Sequence, residues 1–418
     1  MRTLIRNAAI FDGTGSPAAI GCVTVEGDRI VAVETGRDSI AAAPDDNVIE
    51  GEGLTLMPGL VEAHAHLTWP SSVEKMYHEF VLPPEEMRVA AWRNARILLD
   101  HGFTSAFSAG ALGETIEIEL RGEIEAGRTP GPRLRASTIE RSPEGADGIE
   151  TGKKLSIGEG VEGMRAFVRR CAHNGIDTVK LVVSGEDALL PGSSQHVIYS
   201  QEEVSAACEE AHRLGMKVAA HTQAAEAVKI ALRAGVDVLY HCTYADAEAL
   251  DMLEAARDRI FVAPAIGVIV ATLEAQPPPH IDMSAMKESA KPVVELTSVL
   301  IPQLHRRGVR VLPGGDYGFP FNPNGRNARD LEHFVRLYGY TPAEVLSAAT
   351  SLGGQIMGMG DELGLVRPGF LADLLLVDGD PVRDVALLQD KERLTMIMQS
   401  GRLYKAPART NAAPAETV

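Results

Sequence analysis

The chain has 418 residues, of which 45% are hydrophobic and 23% charged, which suffices for one large domain or two smaller ones. Its formal net charge of −17 disfavours a nucleic-acid partner, because an acidic surface repels phosphate backbones. The N-terminal segment lacks an apolar signal region, no apolar stretch is long enough to span a bilayer, and the four cysteines form no C-x-x-C pair, so we expect a cytoplasmic protein with reduced thiols.

Both ends of the chain have the pattern of short β-strands joined by turns. The runs are Leu4–Phe11, Cys22–Glu26, Arg29–Val33, Ala372–Val377, Thr395–Gln399 and Arg402–Tyr404. Together they predict one small β-sandwich domain formed by residues 1–57 and 366–405. Residues 406–418 are rich in Ala, Pro and Thr, and we expect a disordered tail there.

Residues 58–365 alternate short β runs with helical runs, which is typical of an α/β fold built from βα units. Ser200 with Glu203 and Thr341 with Glu344 predict two capped helix starts, and we expect Thr222 to cap a third. Eight strands are predicted, beginning near Leu60, Thr104, Arg133, Thr178, Lys217, Val236, Phe261 and Val309. The sequence therefore predicts a (β/α)8 TIM barrel.

Residues able to bind metal ions lie at the ends of five of these strands. His64 and His66 end the first strand, and in an extended segment residues i and i+2 point the same way. Lys180 lies within the apolar fourth strand, and the fifth, sixth and eighth strands lead to His221, His241 and Asp316. The active site of a parallel barrel forms at these strand ends, so we expect the six side chains to meet.

Several segments resemble the amidohydrolase superfamily, in the branch whose carboxylated lysine bridges two metal ions. Met57–His66 is similar to the motif that begins the family's barrel, and Gly364–Asp373 with Val377–Pro381 is similar to the motif that follows it. Ala219–Thr222, Ala234–Asp237 and His241 resemble the prolidase-like and ochratoxinase-like members. The resemblance implies a metal-dependent amide hydrolase.

It also implies roles for the six residues. His64, His66 and Asp316 would hold the more buried ion, His221 and His241 the second, and Lys180, carboxylated by CO2, would bridge both. Zinc is the expected metal. Burial makes a charged lysine costly and favours the neutral amine that reacts with CO2. Asp316 would take a proton from the attacking water and deliver it to the leaving amine.

Loop residues supply further candidates. Tyr244, three residues after His241, can donate to a developing oxyanion or simply form part of the pocket wall. Arg326, Arg329 and His196 are candidates for binding a substrate carboxylate, although a solvated position is equally open for the arginines. Relatives that cleave dipeptides often carry a histidine in the loop after strand three, and Ser142–Gly148 has none here.

The preferred function is release of a C-terminal amino acid from an N-acyl amino acid, including ochratoxin-type N-acyl-phenylalanine. Hydrolysis of Xaa-amino-acid dipeptides is one alternative, and hydrolysis of lactones or esters on the same metal centre is another. A binding protein without activity is disfavoured because all six ligand residues are present. We expect a small-molecule substrate, no nucleic-acid or membrane partner, and a homo-oligomer.

Overall fold

The computed structural model describes residues 2–73, 82–142, 157–187 and 192–407. Eight strands come from the two ends of the chain: β1 (Arg2–Ile10), β2 (Ala19–Glu26), β3 (Arg29–Thr35), β4 (Asn47–Glu50), β5 (Leu54–Pro58), β13 (Leu374–Asp378), β14 (Leu394–Gln399) and β15 (Arg402–Lys405). They form one sheet in the order β15-β14-β13-β5-β1-β2-β3, with β4 paired to β1. Both termini thus contribute to one β-unit; its division into two layers stays a prediction.

Seven strands lie between these ends: β6 (Leu60–Ala65), β7 (Phe103–Ser108), β8 (Arg133–Arg135), β9 (Thr178–Val182), β10 (Lys217–Thr222), β11 (Val238–His241) and β12 (Phe261–Ala263). They are paired in parallel in two sheets, of order β6-β7-β8 and β12-β11-β10-β9. Their residues are almost all buried, as expected for parallel strands that are covered on both faces.

Single bridges connect the two parallel sheets. Arg141, which follows β8, pairs with Leu181 of β9, and Ala65 at the end of β6 pairs with Tyr317 beyond the Val311 segment. The prediction of a regular strand beginning near Val309 is wrong. This segment makes a single bridge, between Val311 and Val262. It stays beside β12 through the N–H of Leu312, which donates to the carbonyl of Val262 at 2.9 Å.

Helices follow most of the parallel strands. Their bounds are α1 (Pro84–Asp100), α2 (Ile116–Glu125), α3 (Gly160–Asn174), α4 (Gln201–Arg213), α5 (Ala225–Ala234), α6 (Ala247–Ala255), α7 (Ile266–Glu274), α8 (Ser284–Arg306), α9 (Arg329–Tyr338), α10 (Pro342–Ser347) and α11 (Gly353–Ile356). Both predicted capping boxes, at Ser200 and Thr341, are confirmed. Thr222 is not a cap: it ends β10 and its hydroxyl donates to the carbonyl of Tyr240, while α5 begins after Ala224.

The main core lies between the helices and the parallel strands, and a second apolar cluster lies under the terminal sheet. All four cysteines are free and buried. Among the described residues, no helix has both the length and the apolar character to cross a membrane. Most of the predicted tail (408–418) and of the loop after strand three (143–148) lies outside the described residues.

Candidate metal centre

One cavity of about 130 Å³ opens at the carboxyl ends of the parallel strands. All six predicted ligand residues line it: His64, His66, Lys180, His221, His241 and Asp316. Four of them lie in β6, β9, β10 and β11, His66 directly follows β6, and Asp316 follows the Val311 bridge. Side chains that are far apart in sequence therefore meet because parallel strands end at the same edge.

His64, His66 and Asp316 form the first cluster. Asp316 Oδ1 lies 3.0 Å from His66 Nε2 and 3.5 Å from His64 Nε2. His66 Nδ1 lies 3.0 Å from the carbonyl of Gly110, which accepts its hydrogen and leaves Nε2 with a free lone pair. Asp316 Oδ1 and His64 Nδ1 are buried and have no well-aligned hydrogen-bond partner within the described part of the chain, so atoms of metal-ligand type are available here.

A second cluster contains His221, His241 and Glu186. Their ligand atoms lie within 4.8 Å of one another, as do those of His64, His241 and Asp316. The rings of His221 and His241 are 4.3 Å apart between centroids. Glu186 Oε2 is 3.6 Å from His221 Nε2 and accepts a hydrogen bond of 2.8 Å from Gln223 Nε2. His241 belongs to both sets, so the two sets adjoin each other.

Lys180 lines the same cavity and is buried, with 2% of its surface exposed. Its Nζ donates to the carbonyl of Ala109 at 2.7 Å and lies 3.5 Å from Glu140 Oε2. Glu140 also lies 3.9 Å from His66 Nδ1. Gly110 makes room for this carboxylate, because a Cβ at position 110 would meet the Glu140 side chain at 2.6 Å.

Burial sets the charge state of most of the imidazoles. It lowers the pKa of His64 and His241 well below the ordinary range and that of His221 to about 4, with neighbouring positive groups adding to the effect. These rings are therefore neutral at pH 7, which is the form that binds metal ions. The pKa of His66 is raised instead, because the lowering effect of burial is outweighed by the adjacent carboxylates of Asp316 and Glu140.

Buried partners hold the first strand in place behind the ligands. Glu62 accepts hydrogen bonds from the His64 backbone N–H at 2.9 Å and from Asn327 Nδ2 at 2.8 Å. Burial raises the pKa of Glu62 to about 7. The Tyr240 ring stacks on His64 with centroids 3.8 Å apart, and its hydroxyl donates to the carbonyl of Ala63 at 2.9 Å. Outer contacts of this kind hold a metal-ligand side chain such as His64 in a fixed orientation.

The backbone is left-handed at two of the predicted ligands. His241 has φ 70°, the adjacent Cys242 has φ 57°, and Asp316 has φ 60°. This conformation is unfavourable for residues other than glycine, and such strain concentrates at functional sites. Burial raises the pKa of the Cys242 thiol to about 12, which disfavours the reactive thiolate form.

The four predicted loop candidates are not among the described residues that line the cavity. Tyr244 is half-buried, and its backbone N–H donates to the carbonyl of Gln223. His196 and Arg326 are exposed, and Arg329 pairs with Glu274 at 2.7 Å. Their roles in binding an oxyanion or a carboxylate therefore stay predictions that the described lining does not support.

The sequence analysis missed the acidic and apolar parts of the lining. Glu140, Glu186 and Asp187 line one part of the cavity, and Trp69 and Phe319 lie near His66. The remaining wall is mostly apolar: Val268, Ile269, Ala271, Met286, Ala290, Val293, Pro320 and Phe321. The signal for Glu140 and Glu186 was their place just beyond β8 and β9, where polar residues of a barrel face the active site.

Comparison with known proteins identifies the fold and the family. The sequence model of the amidohydrolase family matches residues 55–404. The chain is 25% identical to the ochratoxinase of Aspergillus niger over 97% of its own length and 87% of that protein, and 23% identical to the imidazolonepropionase of Rubrobacter xylanophilus over 93% and 91%. It superposes on the crystal structure of a Xaa-Pro dipeptidase with bound methionine with a TM-score of 0.87 and 25% identity, covering 97% of this chain and all of that one.

Proposed function

This chain belongs to the amidohydrolase family, and we propose on this premise that it hydrolyses an amide bond of a small molecule with two divalent metal ions. The observation that carries the proposal is the meeting of His64, His66, Lys180, His221, His241 and Asp316 around one cavity. We further propose that the two parallel sheets are parts of one (β/α)8 barrel of residues 58–365. The small β-sandwich would comprise 1–57 and 366–405, and we propose a cytoplasmic homo-oligomer.

The donor set fits two ions. His64, His66 and Asp316 would hold one, His221 and His241 the other, and a carbamate on Lys180 would join them. Neutral imidazoles and carboxylates are ligands that suit zinc, which we propose as the native metal. When bound, such ions activate water at neutral pH and polarise the carbonyl that is attacked.

The protein groups then position the substrate and move the proton. Asp316 Oδ1 faces the two histidines of the first cluster, so it is placed to accept a proton from the attacking water. The same atom can return that proton to the leaving amine. The apolar wall of α7, α8 and Phe319–Phe321 excludes water and offers contact area for an apolar or aromatic acyl group.

For the leaving group we propose an amino acid, as in an N-acyl amino acid of the ochratoxin type. The Aspergillus niger relative is named ochratoxinase, and the dipeptidase relative holds methionine in its active site. A true Xaa-amino-acid dipeptidase remains the alternative nearest in chemistry. A lactonase or esterase on the same metal centre is the more distant one.

A second candidate is an amide whose leaving group carries no carboxylate. It is favoured by the charge of the lining, because Lys180 is the only lysine or arginine among the described residues there, beside Glu140, Glu186 and Asp187. An unpaired carboxylate buried among these acids would be costly. The two candidates therefore differ in the charge that the cavity has to accommodate.

The test is a hydrolysis panel of N-acyl amino acids, their C-terminal amides, dipeptides and lactones, followed by mass spectrometry with metal-loaded and chelated enzyme. If the leaving group is an amino acid, amidation of its carboxylate should lower kcat/KM about 10²-fold, equivalent to roughly 2.7 kcal/mol of transition-state binding. Equal or better turnover of the amide would support the second candidate. Turnover of lactones alone would refute both.

A further inference from the structure

Glu186 lies against the second cluster of metal-ligand side chains, at a position to which the six-residue ligand set assigns no role. Its Oε2 is 3.6 Å from His221 Nε2, and Glu186, His221 and His241 each offer an atom within 4.8 Å of the other two. Ligands about 2.1 Å from a tetrahedral zinc ion are separated by roughly 3.4 Å from one another. The three groups therefore lie close enough together to be ligands of one ion. The 3.6 Å contact is not itself the ligand spacing, because His221 Nε2 lies 3.1 Å from the carbonyl of Gly185, which can only accept its hydrogen.

The carboxylate is also held in this orientation. Gln223 Nε2 donates to Glu186 Oε2 at 2.8 Å, and the Gln223 backbone N–H is fixed by Ser184 Oγ at 2.7 Å. Gln223 directly follows β10, the strand that carries His221, so one strand end positions both the histidine and the carboxylate. Partners of this kind commonly orient the ligands of a metal ion.

We propose that Glu186 is itself a ligand of the second metal ion, together with His221 and His241. This inference rests on the proposed binuclear function and adds an acidic ligand to it. The second ion then has an anionic ligand that exists without CO2, in addition to the carbamate expected on Lys180. Binding of this ion becomes less dependent on carboxylation than the six-residue ligand set implies.

The experiment measures metal occupancy rather than turnover. Purified holoenzyme is dialysed against a series of chelator-buffered Zn²⁺ activities, and bound zinc per chain is determined by mass spectrometry. Glu186→Gln keeps an oxygen that can accept the hydrogen bond from Gln223 but removes the charge, whereas Glu186→Met removes both. Asp187→Asn is the matched control, because Asp187 is the next residue, lines the same cavity and belongs to neither ligand cluster.

If Glu186 is a ligand, Glu186→Gln and Glu186→Met should weaken binding of the second ion to a similar extent, by at least about 10-fold. Loss of even an outer partner typically lowers metal affinity about 10- to 100-fold. The affinity for the first ion should be unchanged in these variants, and Asp187→Asn should bind both ions as the wild type does. Near wild-type occupancy in Glu186→Gln, with loss only in Glu186→Met, would mean that Glu186 merely orients His221. Equal weakening in Asp187→Asn would mean a general charge effect, and either result overturns the proposal.

Two further results keep the test decisive. If Glu186→Met does not fold, Glu186→Asp can replace it. Asp retains the charge, but its shorter side chain holds the oxygens farther from His221 and His241, so a ligand role still predicts weaker binding of the second ion. If the wild-type enzyme holds only one ion at saturation, the binuclear function fails. Glu186 is then judged on the affinity of that single ion, and an unchanged affinity in Glu186→Gln overturns the inference.

Discussion

Tyr240 allows a quantitative test of how the first strand is held behind the metal centre. Its hydroxyl donates to the carbonyl of Ala63, its ring stacks on His64, and the residue is fully buried. Tyr240→Phe keeps the ring and removes only the donor. We expect the free energy of unfolding to fall by about 1–3 kcal/mol, because a buried carbonyl loses its partner.

The assay is urea denaturation at a fixed Zn²⁺ activity, with the free energy extrapolated to water. Tyr340→Phe is the matched control, because Tyr340 is also buried and its hydroxyl has no hydrogen-bond partner among the described residues. That variant should lie within about 0.5 kcal/mol of the wild type. Because the Ala63 carbonyl precedes His64, Tyr240→Phe should also weaken zinc binding by up to about 10-fold, while kcat per loaded site changes little.

An equal loss of stability in the two tyrosine variants would refute this reasoning. It would mean that the bond from Tyr240 to Ala63 contributes no more than a hydroxyl without a partner. Unchanged zinc affinity together with a real loss of stability would refute only the link to His64. The two measurements thus separate packing of the strand from orientation of the ligand.

Three further predictions concern the metal, the proton and the response to pH. The wild-type protein should bind about two zinc ions per chain and lose activity on chelation; about one ion in fully active enzyme would contradict the two-metal proposal. Asp316→Asn should retain most of its metal but lose roughly 10²-fold or more in kcat, whereas a near-normal kcat would assign the proton transfer to another group. Burial lowers the pKa of His333 from 6.5 to about 4, so this residue favours folding above pH 6.5 and its contribution is lost as the pH falls toward 4. His333→Gln should reduce the acid-induced loss of stability by at most about 3 kcal/mol in denaturation series at pH 7 and pH 4, and identical pH profiles would contradict the assignment.

The predicted ligand residues could be located from the sequence because strand order and side-chain alternation determine where they lie. His64 lies in the first strand and His66 directly follows its end, and Lys180 interrupts an apolar strand. These side chains are then expected to lie close together, because parallel strands end at the same edge. The eighth strand was predicted less well, since the segment near Val311 reaches Gly314 and Gly315 after a single bridge and cannot form a long ladder.

Loop side chains could not be placed in the same way, because their directions depend on partners far away in sequence. Arg329 is held by Glu274, which lies 55 residues earlier, and no local sequence pattern predicts this pair. Glu186 in turn is held by Gln223 from the next strand end. A sequence identifies such residues as candidates, but only tertiary contacts decide whether they face the cavity.

The formal charges of the lining connect the metal proposal with the choice of substrate. The described lining has four carboxylates, from Glu140, Glu186, Asp187 and Asp316, and one lysine, Lys180. Two divalent ions balance the four carboxylates, and a carbamate in place of the ammonium of Lys180 leaves one negative charge in excess. A substrate carboxylate would add to that excess in a partly dry cavity, where like charges repel strongly. If the panel nevertheless returns a strong preference for the acid, the carboxylate must meet a cation outside the described lining. If the amide is preferred, the acids of the lining are sufficient to explain the selectivity.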